Sequence, residues 1–165
     1  MTAVRIVPWG EGDLALLEQL VGDPMMMEHL GGPESAEKIA ARQVRYERAD
    51  AGMFKIVEEA TGRGVGSVGF WERSWRGEQV YEMGWAVIPS AQGRGIARAA
   101  TAQAIAAAAA QRAHRFVHAF PSVDNAPSNA ICRALGFTLL GAGDFEYPPG
   151  HQMRCNDWRL ALVAD

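Results

Sequence analysis

The chain has 165 residues, of which 48% are hydrophobic and 21% charged, and its net charge is −3. That suits one mixed α/β domain over residues 1–165, leaves little room for a second, and disfavours nucleic acid as a bulk partner. No apolar run approaches the ~20 residues of a membrane span. The opening "MTAVRIVPWG" lacks the charged leader and apolar stretch of a signal peptide, so a cytoplasmic location away from membranes is expected.

In chain order, "VRIVPW" reads as a short strand and "GDLALLEQLVGD" as a helix. Asp13 is the expected N-cap of that helix, and Leu14, Leu17 and Val21 stand at helical spacing. "HLGGPES" is a break. "ESAEKIAARQVRYERAD" is a second helix, whose Arg42, Arg45 and Arg48 lie near one face and read as a solvated stripe. Three strands follow, "MFKIVEE", "GVGSVGFWE" and "QVYEMGWAVI", joined by "ATGRG" and "SWRGE" with glycine where hairpin turns need it. They form an antiparallel meander.

"IPSAQGRGIA" then opens a long alanine-rich helix running to about Arg112, and "RFVHAF" is the next strand. A strand–helix–strand crossover of this kind normally makes two parallel strands. "APSNAICRAL" is a short helix stopped by Gly136. "FTLLGA" and "QMRCNDWRLAL" are the last strands, with "GDFEYPPG" as the loop between them. The expectation is a central, mostly antiparallel sheet with one parallel pair and about four flanking helices.

The glycine-rich turn has a physical use. A helix start carries free N–H groups and partial positive charge, and glycines let phosphates approach the backbone. Arg94 adds a mobile cation beside it. The turn fits neither the three-glycine dinucleotide fingerprint nor the P-loop, and a purely structural turn remains an alternative.

Two motifs decide the context. "IPSAQGRGIA" resembles the diphosphate loop Q/R-x-x-G-x-G/A of the GNAT N-acyltransferase superfamily, with Gln92, Gly95 and Ala97 at the defining positions. Asn125 and Ser128, followed by a short helix and Gly136-Phe137, resemble the second cofactor element of its RimJ/RimL-like branch. The order of elements over nearly the whole chain matches as well. The resemblance implies acetyl-CoA as cosubstrate. Backbone groups near Trp85 and Val87 would meet the pantetheine amides, and the N–H groups of Gly93, Arg94, Gly95, Ile96 and Ala97 the diphosphate. The strand before the loop and "RFVHAF" would splay to admit the pantetheine arm. Asn125 caps its helix and would also bond a pantetheine amide.

Acyl transfer needs a neutral amine. A lysine-like amine is neutral in only about one molecule in 2,500 at pH 7, a penalty of about 4.6 kcal/mol, against about 1 kcal/mol for an α-amino group. Glu82 is the candidate base. It shares a strand face with the small residues Gly84 and Ala86. It also lies about 20 Å of strand from Ile88, the reach of an extended pantetheine arm. A salt-bridged strand glutamate is the alternative reading, and Glu72 a weaker candidate.

Ser128 is the candidate acid for the departing thiolate. The tyrosine that many GNAT enzymes carry five residues before the Gly-Phe phenylalanine is Cys132 here, most simply a packed helix cysteine. Cys132 and Cys155 fit no zinc or redox spacing. His114 and His118 are four apart, but on a strand that separates them by about 13 Å, so no metal is expected. His29 and His151 stand alone in loop-like sequence.

The function expected is acetyl transfer to a primary amine, a protein N-terminus or a small molecule, entering between "HLGGPES" and "GDFEYPPG". An acyl-CoA-binding sensor without turnover is the alternative. Family habit suggests a homodimer, with the C-terminal strand as a contact.

Overall fold

The computed structural model describes residues 2–162. Seven strands form one sheet: β1 (Val4–Pro8), β2 (Met53–Glu58), β3 (Gly64–Trp75), β4 (Glu78–Val87), β5 (Phe116–Ala119), β6 (Thr138–Glu146) and β7 (Gln152–Ala161), in the order β1-β2-β3-β4-β5-β7-β6. Four α-helices flank it: α1 (Leu14–Val21), α2 (Ala36–Tyr46), α3 (Ile96–Gln111) and α4 (Ala126–Ala134). Every neighbouring pair is antiparallel except β4–β5. The mixed α/β sheet with one parallel pair is the architecture expected.

The meander is held by its turns. Arg76 and Gly77 both take positive φ, 50° and 80°, and their turn pairs Trp75 with Glu78. Positive φ at both central residues gives the twist that a two-residue hairpin needs. From there the β3–β4 register runs unbroken to Gly66–Val87. Alternation puts Ser67, Glu82, Gly84 and Ala86 on one face, and Val68, Tyr81, Met83 and Val87 on the other.

Helices α1 and α2 cover the first face over β1–β3. Lys55, on that face by register with Ser67, donates to Asp13 Oδ1 at 2.8 Å, and the Trp9 indole N–H donates to Gln43 Oε1 at 2.8 Å. Helices α3 and α4 cover the second. The alanines Ala100, Ala104 and Ala108, buried at consecutive turns, bring α3 close to the sheet. The Trp158 indole N–H donates to Asn129 Oδ1 of α4 at 2.8 Å. Gln103 of α3 also seals the sheet edge: its amide accepts from Ile6 N at 3.2 Å and donates to Val4 O at 2.8 Å. A further strand would satisfy the same edge groups.

Four local expectations need correction. Asp13 precedes α1, but its carboxylate accepts from Gly10 N and Lys55 instead of capping the helix. A 3-10 turn at Glu11–Asp13 offsets the start of α1, so Leu16, Leu17 and Leu20 are buried while Leu14 is exposed. On α2, Arg45 and Arg48 are exposed, but Arg42 is packed against Glu34, Tyr46 and Tyr147. β6 runs through "GDFE" to Glu146, because Gly143 and Asp144 pair with Cys155 and Arg154 across β7, and the loop shrinks to 147–151. β7 lies between β5 and β6, and the free edge on that side is β6.

Candidate active site

The sheet opens where the chemistry is expected. β4 and β5 pair at only two positions, Tyr81–Val117 and Glu82–His118, while β4 continues against β3 to Val87. Ile88 N donates to Val65 O at 2.9 Å, so the backbone of even-numbered β4 residues faces β3. Alternation turns the N–H and C=O groups of Met83, Trp85 and Val87 toward the gap beyond the two β5 pairs. One of them is already engaged: Gln92 Nε2 donates to the Val87 carbonyl at 2.9 Å, bracing the loop onto the strand. The Trp85 indole N–H is buried without a partner among the described residues.

The loop itself is shaped by its glycines. Gly93 and Gly95 both have φ 76°, in the left-handed region. That backbone costs a residue with a Cβ roughly 1–2 kcal/mol. Gly95 is the N-cap of α3 and supplies no side chain, and the first intrahelical N–H to find a carbonyl is that of Ala99, at 3.1 Å from Gly95 O. The N–H groups of Ile96, Ala97 and Arg98 are therefore left to a ligand or solvent. No acidic residue stands in this first turn. The Arg94 guanidinium is not the mobile cation expected: it is ion-paired with Glu58 and also donates to Thr2 Oγ1 at 3.2 Å. Arg98, exposed in the first turn, is a cation that no motif singled out.

Glu82 sits on the opposite face, ion-paired with Arg73. Burial pushes its carboxyl above the ordinary carboxylate value, and the Arg73 charge and hydrogen bond, with His118, offset part of that rise. The room expected beside it is walled by Trp71, whose Cη2 is 3.1 Å from where a Cβ on Gly84 would stand. The Arg73 guanidinium also lies over three aromatic rings, 5.0 Å from the Trp75 centroid, 4.9 Å from that of Phe120 and 5.9 Å from that of Phe145. Beside Glu82, His118 Nδ1 is 2.6 Å from Asp157 Oδ1, and the Trp75 indole N–H donates to Asp157 Oδ2 at 3.0 Å. No local pattern in the sequence signals this buried pair. Glu72 pairs with Tyr81, on the other face from Glu82, and contacts His114 at 3.2 Å in the open, so it is not placed to serve this site.

On α4, Asn125 Oδ1 accepts from Ser128 N at 3.2 Å, the expected cap. The Ser128 hydroxyl makes no hydrogen bond among the described residues. Cys132 is fully buried and its thiol is pushed up to about 12 by desolvation, which marks a packing residue.

Over the Glu82 face, the α1–α2 connection meets the β6–β7 loop. Gly31 lies so close that a Cβ there would stand 2.5 Å from Pro148 Cδ, and Arg42 donates to Tyr147 Oη at 3.3 Å. The α1–α2 connection and the start of β7 also line an open cleft of about 270 Å³, with His29, Asp124, His151 and Arg154 among its residues. Among the described residues no group of three His, Cys, Asp or Glu side chains converges to hold a metal, and no helix is long and apolar enough to cross a membrane.

Comparison with known proteins fits this geometry. The structure resembles a GNAT-family acetyltransferase from Bacillus anthracis (TM-score 0.79, 19% identity, covering 98% of this chain and 97% of that one). It also resembles the spermidine N-acetyltransferase from Vibrio cholerae in complex with CoA and spermine (0.79, 16%, 96% and 95%). A third likeness is to a ribosomal-protein-alanine N-acetyltransferase from Brucella melitensis (0.75, 24%, 96% and 99%). No curated protein sequence matches the chain. The family model described as "Acetyltransferase (GNAT) domain" matches residues 3–138, so the chain belongs to the GNAT acetyltransferase family.

Proposed function

We propose that residues 1–165 form one cytoplasmic, acetyl-CoA-dependent N-acetyltransferase domain of the RimJ/RimL-like branch, acting on a primary amine. The observation that carries this is the split between β4 and β5, which leads directly into a helix N-terminus with unused N–H groups. An extended acyl-CoA suits both parts. Its diphosphate would rest on the N–H groups from Gly93 to Ala97, with Gln92 bracing the loop. Its pantetheine amides would meet the backbone of Trp85 and the Val87 N–H, much as an added strand would. Asn125 would complete that contact. The buried, unpartnered Trp85 N–H also favours a polar ligand atom here.

The acceptor would reach the thioester from the Glu82 face through the roofed cleft. Glu82, its affinity for protons raised by burial, would take a proton from the amine, which then attacks the thioester carbonyl directly. Ser128 would protonate the departing thiolate. That raised carboxyl is a proton acceptor better matched to neutral pH than an ordinary one, which weighs against a sensor without turnover. The acceptor is a protein N-terminus or a small-molecule amine, and the enzyme a homodimer.

An amine library offered with acetyl-CoA and read by mass spectrometry tests the reading. The expected product is about 42 Da heavier than its parent amine, the acetyl-for-hydrogen increment, and forms together with free thiol. Thiol release at the same rate with and without amines would contradict it.

A further inference from the structure

Acetyl transfer to an amine, the reading on which the inference rests, releases one proton for each amide formed. The acceptor arrives as an ammonium. Its nitrogen forms the C–N bond, the C–S bond breaks toward sulfur, and the nitrogen gives up two protons in all. The thiolate takes one, and the other must leave the site. Glu82 is partly buried and ion-paired with Arg73, so it serves a second turnover only after handing its proton on.

His118 stands beside it. The two residues are register partners on β4 and β5, on strands about 4.8 Å apart, and their side chains share a face. The His118 ring is 4% exposed and stacks on Phe120. Its Nδ1 meets Asp157 Oδ1 at 2.6 Å, while the other Asp157 oxygen accepts from Trp75. A carboxylate only accepts, so Nδ1 carries the proton and the Nε2 lone pair is left free. Nε2 makes no hydrogen bond among the described residues and is not sealed from solvent, so a proton taken there can leave. On β3 to β7 the other charged or titratable groups of this face are Arg73, Glu78, Cys155 and Arg159, with Lys55 further along it on β2, held by Asp13; Arg159 is turned away onto the Phe116 ring at 4.3 Å.

We propose that His118 is the outlet for the reaction's proton: Nε2 takes it from Glu82, and Asp157 stabilises the imidazolium that results. This makes His118 and Asp157 positioning and relay groups that act through Glu82.

Three measurements test it on the full chain. In ¹⁵N-histidine-labelled protein, His118 should show the neutral tautomer protonated at Nδ1, and Asp157→Asn should abolish that preference. Asp157→Asn, nearly isosteric, and His118→Gly should each lose kcat by about tenfold or more, while KM for the amine and CoA affinity by calorimetry stay within about twofold. Added imidazole should restore much of the loss in His118→Gly. The proposal is overturned by a wild-type tautomer protonated at Nε2, by kcat within about twofold of wild type in both variants, or by a loss in His118→Gly that imidazole leaves untouched. Glu82→Gln separates the two readings. If it keeps full turnover while His118→Gly is inactive and rescued by imidazole, the carboxylate assignment fails and His118 remains the proton acceptor.

Discussion

At Glu82 two opposing effects meet. Burial raises the carboxyl's proton affinity, and the Arg73 charge pulls it back. Because the folded value lies above the unfolded one, the ionised form is the one the fold disfavours, and stability from this group is present at low pH and lost as pH rises through the raised value. With Glu82 as the proposed base, activity has the opposite sign, since only the carboxylate accepts a proton. The acid limb of a kcat/KM profile should therefore lie above the ordinary carboxylate value and move further up in Arg73→Met, which removes the counter-charge. An unmoved limb would mean that Glu82 is not the titrating group. Glu82→Gln should lower kcat by roughly 10²–10⁴-fold. Glu82 was legible in sequence because strand alternation alone placed it beside Gly84 and Ala86. His118 and Asp157 were not, since they stand 39 residues apart and meet only through the β5–β7 pairing.

The elements show where local signals suffice. The meander, the crossover and the cap of α4 follow from alternation, turn glycines and Asn125. Where tertiary contacts override local preference, the sequence misleads. "GDFE" looks like a turn until β7 pairs with it, and the Arg42 stripe looks solvated until Glu34 and Tyr147 enclose it. Gln103 is a further case, an ordinary polar helix residue whose amide completes the edge strand β1. Gln103→Leu leaves both of those backbone groups without it, and should cost about 1–3 kcal/mol in a urea melt while leaving CoA affinity unchanged. A cost near zero would show that water replaces the amide at no loss.

For the whole molecule, the sheet order turns scattered motifs into one site. β4 serves as the common wall, with the proposed diphosphate loop at its end, Glu82 on one face and the α3–α4 layer on the other. The two GNAT-like motifs in the sequence named the cofactor class because each is local: a glycine pattern shapes the loop, and Asn125 and Ser128 share one helix start. In the proposed function the acceptor class depends on side chains gathered from α1–α2, the β5–α4 loop and β7, and no local pattern encodes that gathering. In the proposed function the Gly93–Gly95 turn grips a CoA diphosphate. The direct measurement is calorimetric titration of CoA into wild-type protein and Gly95→Glu, with a cooperative melt confirming that the variant is folded. Saturable binding to wild type is expected, with a loss of about 100-fold or more in the variant, where a carboxylate and a strained Cβ occupy the cradle. Equal affinity in the two proteins would contradict it.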